Sequence, residues 1–300
     1  MVSIDGELVP PARAVVSVFD RGFLYGDSVY EVIRTYGGRP FEREAHLARL
    51  ERSAERIGLE LPWPGARFAA EIGRVLAAAS AVREAPDPAA APWNAGELTV
   101  RLIVTRGGGE LGLDPALATE PKVILLALPL QAPPLSAYDA GVTLALVGET
   151  PVGRPREPSA KTGAHLAHVL ALREARAAGA HEALALDRDG FVTEGASSNL
   201  FLVKEGALST PPLQAGILPG VTRAVVLGIA RGAGLEVREV RLRPEDLAAA
   251  DELFITSTAR EILPATRLGA APVGGGAPGP VTGRLHALFR ARAEAFARGE

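Results

Sequence analysis

The sequence predicts a mixed α/β (α+β) chain of two domains, and three observations carry the prediction. At 300 residues the chain is longer than one hydrophobic core usually supports. Apolar strand-like runs alternate with amphipathic helical runs along its whole length. The stretch QAPPLSAYDAG, rich in proline, separates two strand patterns and has the composition of a linker. The expected division is an N-terminal α/β domain over 1–131, a linker over 132–140, and a C-terminal domain over 141–300.

The elements follow in order. SIDGELVP reads as a hairpin around Asp5-Gly6, and SVYEVIRTYGGRPF, after a turn at Asp20-Arg21-Gly22, as two strands around Gly37-Gly38. Leu47, Leu50, Ala54 and Ile57 recur at helical spacing between Arg43 and Leu59, and a second helix is expected from Ala66 to Val82. A loop, PDPAAAPWNAG, leads into two central strands, ELTVRLIVTRG and KVILLALPL. The second half opens with the strand VTLALVGE, a proline-rich loop ending at Lys161, and a helix from Gly163 to Ala178. Four strand-like runs follow, EALALD, FVTEG, SNLFLVK and ALSTP. A helix after Pro219-Gly220, the strand LEVREVRL, a short helix at Pro244 to Ala250, the strand ELFITST and a terminal helix from about Thr282 complete the pattern.

Composition narrows the function. A net charge of -3 without runs of like charge points away from nucleic acid and acidic membranes and towards small-molecule partners. The longest apolar runs fall far short of the roughly 18 residues of a membrane span. No cysteine is present, which excludes disulfides and thiolate chemistry. The N-terminus lacks the regions of a signal peptide, so the cytoplasm is the expected location. Only three of the 32 basic residues are lysines: Lys122, Lys161 and Lys204. Arginine stays protonated and cannot supply a neutral amine to attack a carbonyl, so each lysine is a candidate for that chemistry.

Lys122 and Lys204 fall at a strand start and a turn, where lysine is simply solvated. Lys161 lies between a loop and a helix among Ser159, Ala160, Thr162 and Gly163, small residues that leave room for a bound group. Taken alone it also fits an ordinary surface lysine. Glu194 ends a strand before a run of small residues that includes Ser198; it suits a carboxylate facing a pyridine nitrogen, or one facing water. Val221 and Thr222 begin a helix, where free N–H groups attract phosphate, although Thr222 also suits a plain cap. Ser257 and Thr258, after ELFI, could bind the same anion. Arg49 projects from the first helix; Arg101 and Arg106 flank a strand and could hold a substrate carboxylate or a structural ion pair. His165 and His168 sit three apart on a helix with no third ligand in view, so no metal is assigned. RGGGELG does not fit the dinucleotide pattern GxGxxG.

The segments DRGFLYGDSVYEVIRTY, HLARL, VRLIVTRGGGELGLDP, SAKTG, FVTEGASSNLF, GILPGVTR and ITSTAREILP, taken in this order along nearly the whole chain, resemble the fold-type IV pyridoxal-phosphate (PLP) enzymes, or class IV aminotransferases. The resemblance implies a smaller N-terminal α/β domain and a larger C-terminal domain with a mixed sheet or barrel, PLP between them, and a homodimer. It implies Lys161 as the Schiff-base lysine, Glu194 as partner of the pyridine nitrogen, and Arg49, Ser198, Val221, Thr222, Ser257 and Thr258 around the cofactor. Tyr30, Val32, Arg101, Arg106, Thr258 and Ala259 are implied around the substrate.

The subfamily motifs divide. VYEV and EGASSN resemble D-amino-acid aminotransferases, and Leu166 stands where branched-chain enzymes tend to have a tyrosine near the cofactor. Arg101 and GGGELGLDP resemble the branched-chain type. The expected activity is transfer of an amino group from an amino acid, D-alanine or D-glutamate preferred, to a 2-oxo acid. The alternatives are a branched-chain L-amino-acid aminotransferase, an aminodeoxychorismate lyase, and a non-catalytic binding protein on the same scaffold.

Overall fold

The structure, a computed structural model, describes residues 1–81, 89–149 and 159–300. Most of the proline-rich stretch before Lys161 and the start of the PDPAAAP loop lie outside them. Two sheets organise the rest. The first contains β1 (Val2–Ile4), β2 (Glu7–Val9), β3 (Ser28–Tyr36), β4 (Arg39–Pro40), β5 (Leu98–Gly109) and β6 (Ala118–Pro129), in the order β2-β1-β6-β5-β3-β4. All its pairs are antiparallel.

Side chains alternate across a strand, so β3 and β5 each show two different faces. Val29 and Ile33 of β3 and Val100, Leu102 and Val104 of β5 pack against Leu50, Phe68 and Ile72 of the helices α2 (Arg43–Arg56) and α3 (Gly65–Ser80). The opposite face carries Tyr30 and Val32 of β3, with Arg101 of β5 paired directly across from Val32. The expected turn at Asp20-Arg21-Gly22 is instead the start of a short helix, α1 (Arg21–Tyr25). The Asp20 side chain caps it by accepting from the Gly22 amide at 2.7 Å.

The second sheet is mixed. It contains β7 (Val142–Glu149), β8 (Glu182–Leu186), β9 (Val192–Gly195), β10 (Asn199–Lys204), β11 (Ala207–Thr210), β12 (Val237–Glu239), β13 (Glu252–Ser257) and β14 (Glu261–Leu268) in the order β12-β11-β10-β13-β14-β7-β8-β9, with β15 (Ala271–Pro272) paired to β14. Between the sheets in sequence, α4 (Leu135–Ala140) occupies part of the 132–140 segment. Helix α5 (Leu166–Ala177) packs Ala171 and Ala175 on Ala145, Val147 and Ala183 of β7 and β8. Helices α6 (Val221–Gly232) and α8 (Pro280–Arg298) cover Phe201 of β10 and Phe254 of β13, two rings stacked at 4.8 Å. The small helix α7 (Pro244–Ala248) contributes Leu247 to the core on the same sheet.

Strand β14 is central to this sheet but is absent from the sequence reading, and the reason is local. Pro264 sits within EILPATRL, and proline argues against an interior strand because it cannot donate to the ladder. Pairing with β7 starts one residue later, at Ala265 opposite Val142, so the missing donor falls where β14 needs none towards that neighbour.

Candidate active site

A cavity of about 720 Å³ opens between the outer face of β3 and β5 and the second sheet. Lys161 lies in its wall because the segment carrying it pairs briefly with the start of β3. The Tyr30 amide donates to the Lys161 carbonyl, the Gly163 amide donates to the Ser28 carbonyl, both at 3.0 Å, and Val29 pairs with Thr162. A Cβ at Gly163 would collide with the Ser28 hydroxyl as it stands, so glycine suits this approach. The Lys161 amide donates to Ser53 Oγ at 3.1 Å, and its Nζ lies 4.3 Å from the centroid of the Tyr30 ring. The other two lysines lie in surface ion pairs, Lys122 with Asp5 and Lys204 with Asp251.

Glu194, at the end of β9, also lines the cavity. Its carboxylate accepts from the Leu218 amide at 3.0 Å and from Asn199 Nδ2 at 3.1 Å. Both donors are neutral. Burial therefore prevails over these bonds and the more distant Lys161 and Arg49, and the carboxyl is pushed up to about 7.

An anion cradle forms at the N-terminus of α6. Gly220 is its N-cap and offers no side chain, and a Cβ there would collide with the Asn199 amide. The first N–H groups of α6 lack helical partners and carry the positive end of the helix dipole. Val221, Thr222, Ser257 and Thr258 line the cavity beside them, and the buried Thr256 Oγ1 has no partner among the described residues. Arg49 reaches the same place and donates to the Pro219 carbonyl at 3.1 Å.

Arg49 is held by residues the sequence reading missed. Its Nε and Nη2 each donate to the fully buried Glu31 at 2.7 Å, and His46 Nδ1 lies 2.7 Å from the same carboxylate. Burial pushes Glu31 up, but Arg49 and His46 outweigh it and hold the carboxyl down to about 2. A signal existed: a glutamate in the middle of the apolar strand VYEVI is rarely buried without a partner.

A second unanticipated carboxylate fixes the turn through Thr258 and Ala259. Glu261, fully buried and at φ +57°, accepts from Arg34 at 2.8 Å, Tyr36 at 2.7 Å and Arg290 at 2.9 Å, with His286 Nε2 at 3.0 Å. These partners come from β3 and α8, so a glutamate just past the cavity wall ties both halves of the chain together.

Tyr30, Val32, Arg101 and Ala259 all line the cavity, with the Arg101 guanidinium 4.5 Å from the centroid of the Tyr30 ring. Arg106 does not. Its guanidinium bonds Asp27 at 2.8 Å and the carbonyls of Ile57 and Gly58, so the substrate role expected for it gives way to a structural one. Ser198 lines the cavity, but its hydroxyl donates to the buried Glu182 at 3.1 Å. No cluster of metal ligands occurs among the described residues.

An amine, a carboxyl group and an anion cradle thus face one cavity. Those are the groups a phosphorylated pyridine aldehyde requires, so the residues fit PLP.

Comparison with known proteins points the same way. Residues 28–268 match the family model described as amino-transferase class IV. A putative branched-chain-amino-acid aminotransferase from Methanocaldococcus jannaschii is 38% identical over 291 residues, spanning 96% of this chain and 95% of that one. A D-alanine aminotransferase from Bacillus licheniformis is 33% identical over 281 residues, 94% of this chain and 93% of that one. Among solved structures, a hypothetical aminotransferase from Mycobacterium tuberculosis in its PLP-bound form superposes with a TM-score of 0.83 at 25% identity, covering 97% of this chain and 98% of that one.

Proposed function

The chain belongs to the class IV aminotransferase family, and from that membership we infer that it is a PLP-dependent transaminase working through Lys161. PLP supplies an electrophilic carbon and an electron sink. The observation carrying the reading is that the only lysine in the described cavity wall shares it with Glu194 and the α6 cradle. Lys161 Nζ holds the cofactor and carries the proton that leaves substrate Cα. Glu194 keeps the ring nitrogen protonated. Arg49, Val221, Thr222, Ser257 and Thr258 hold the phosphate. Arg101 and the turn at Thr258 and Ala259 orient the substrate carboxylate.

For the donor, we favour D-amino acids such as D-alanine or D-glutamate, because Tyr30 and Val32, the residues that set VYEV apart from the branched-chain pattern, stand in the cavity wall. A branched-chain L-amino acid is the second reading, supported by Arg101 in the same wall and by the Methanocaldococcus jannaschii relative. Half-reactions of the PLP-loaded protein with D-alanine, D-glutamate, L-leucine and aminodeoxychorismate, read by visible absorbance, separate them. Conversion by the D-amino acids supports the first reading; conversion by L-leucine alone overturns it, and pyruvate release from aminodeoxychorismate would mark a lyase. Binding without turnover of any of them would mark a non-catalytic protein. Lys161→Ala should abolish the lysine-linked absorbance band.

We also propose a homodimer. Val15, Val18, Phe19, Phe23, Leu111 and Leu113 stand out in solvent, and their two segments are joined by Arg21 donating to the carbonyls of Gly112 and Leu113. Such an apolar patch suits a subunit interface. Light scattering at the monomer mass would overturn this.

A further inference from the structure

Leu166, at the position where branched-chain members tend to carry a tyrosine near the cofactor, is 71% exposed and lies off the cavity wall. Its neighbour His165 faces inward. The His165 ring meets Tyr30 edge-on at 4.9 Å, against the same ring that Lys161 Nζ approaches at 4.3 Å. His165 Nε2 is buried and has no partner among the described residues. Buried side-chain nitrogens left unpaired are rare, and because His165 is part of the cavity wall a ligand atom is the partner to consider.

The chemistry of PLP says which atom. The phosphate arm and the phenolic oxygen lie on opposite sides of the carbon that joins the lysine. With the phosphate at α6 and the ring nitrogen at Glu194, the phenolic oxygen would fall beside Lys161 on the side away from α6. Helix α6 packs on β10 and β13, whereas α5, whose N-cap is His165, packs on β7 and β8 at the other end of the sheet. The charged and titratable neighbours of His165 are Tyr30, Lys161, Arg101 and His168; burial first, then Lys161, Arg101 and His168, hold its pKa down to about 4, which leaves a neutral ring with one N–H to give.

We propose that His165 Nε2 donates a hydrogen bond to the phenolic oxygen of bound PLP and stabilises it in the ionised form, the contact that Leu166 cannot make. This rests on the assignment of Lys161 and PLP to the cavity. The rival donor is His168, whose Nδ1 is also unpaired and whose ring lies 6.2 Å from that of His165.

The test is a visible absorbance titration of the PLP-loaded protein with pH, comparing wild type, His165→Phe, His165→Asn and His168→Phe. Loss of a donor to the ionised oxygen lets the lysine linkage hold its proton more tightly. The midpoint in His165→Phe should rise by about one pH unit, a tenfold change in the ionisation constant, and His165→Asn should recover much of it. His168→Phe should leave it in place. A His165→Phe midpoint within about a quarter of a unit of wild type overturns the proposal, as does a shift belonging to His168→Phe instead. Should the phenylalanine variant fail to fold, nitrogen NMR of isotope-labelled histidine in the wild type decides the same question, since the His165 Nε2 resonance must move when PLP is added. Wild-type protein that gains no lysine-linked band overturns the Lys161 assignment as well; a band with an unmoved His165 resonance overturns the histidine alone.

Discussion

Two carboxylates, Glu31 fully buried behind Arg49 and Glu194 half-buried in the cavity wall, differ in the charge of the groups that hold them. Glu31 on β3 is gripped by a cation of its own chain, Arg49, with His46 bonded beside it, and is held at about 2. Glu194 on β9 has only the neutral Leu218 amide and Asn199 side chain within bonding distance and rises to about 7. The first region is complete within the protein and serves to aim Arg49. The second lacks a cation, which a protonated pyridine nitrogen would supply. A buried carboxylate already paired with a cation reads as structural, and one whose partners are all neutral reads as awaiting a ligand.

Substitution of each carboxylate sharpens that contrast. Glu194→Gln should lower the half-reaction rate by about 10²- to 10⁴-fold, the span of a lost proton-controlling group, while the apoprotein keeps its fold. Stopped-flow absorbance with a melting curve checks both. Glu31→Gln should do the reverse, destabilising the protein by about 3 to 5 kcal/mol because Arg49 is left buried without its counter-charge, and weakening PLP binding as Arg49 loses its aim. Denaturant melts and a cofactor titration report these. Equal stability losses in the two variants would break the contrast.

The pH response of the apoprotein should also divide. The folded pKa of Glu31 is lowered, so its contribution is present above the usual 4.5 and is lost as pH falls towards about 2. That of Glu194 is raised from 4.5 to about 7, so its contribution is present at low pH and lost as pH rises through 7. Between pH 5 and 8 the wild type should lose up to about 3 kcal/mol relative to Glu194→Gln, and the gap should narrow once PLP is bound. The smallest effect is expected away from the cavity: Arg106→Gln should cost about 1 to 2 kcal/mol in stability and leave KM unchanged. A raised KM would return Arg106 to the substrate site.

Much of this was legible from sequence for identifiable reasons. Lysine scarcity drew attention to Lys161, helix periodicity placed α2 and α3, and glycines at turns placed the hairpins. The misses share a cause. Glu31 and Arg49 are 18 residues apart, and Arg34 and Glu261 are 227 apart, so neither pairing leaves a local pattern. Strand β14 was hidden by Pro264, whose missing donor matters only when the neighbouring strand's register is known. His165 read as half of an incidental histidine pair because which α5 residue turns inward depends on how that helix packs.

The sequence by itself determined the family, the mixed α/β architecture and the residue types the chemistry needs, because motif order and apolar periodicity are properties of the chain read locally. Only the tertiary structure decided which charges meet: that Arg49 is pinned by Glu31, that Arg106 serves Asp27, that Leu166 turns out while His165 turns in, and that Glu194 is left without a cation. Each depends on burial and on distances between residues remote in sequence, where a few ångströms separate a saturated ion pair from an open site.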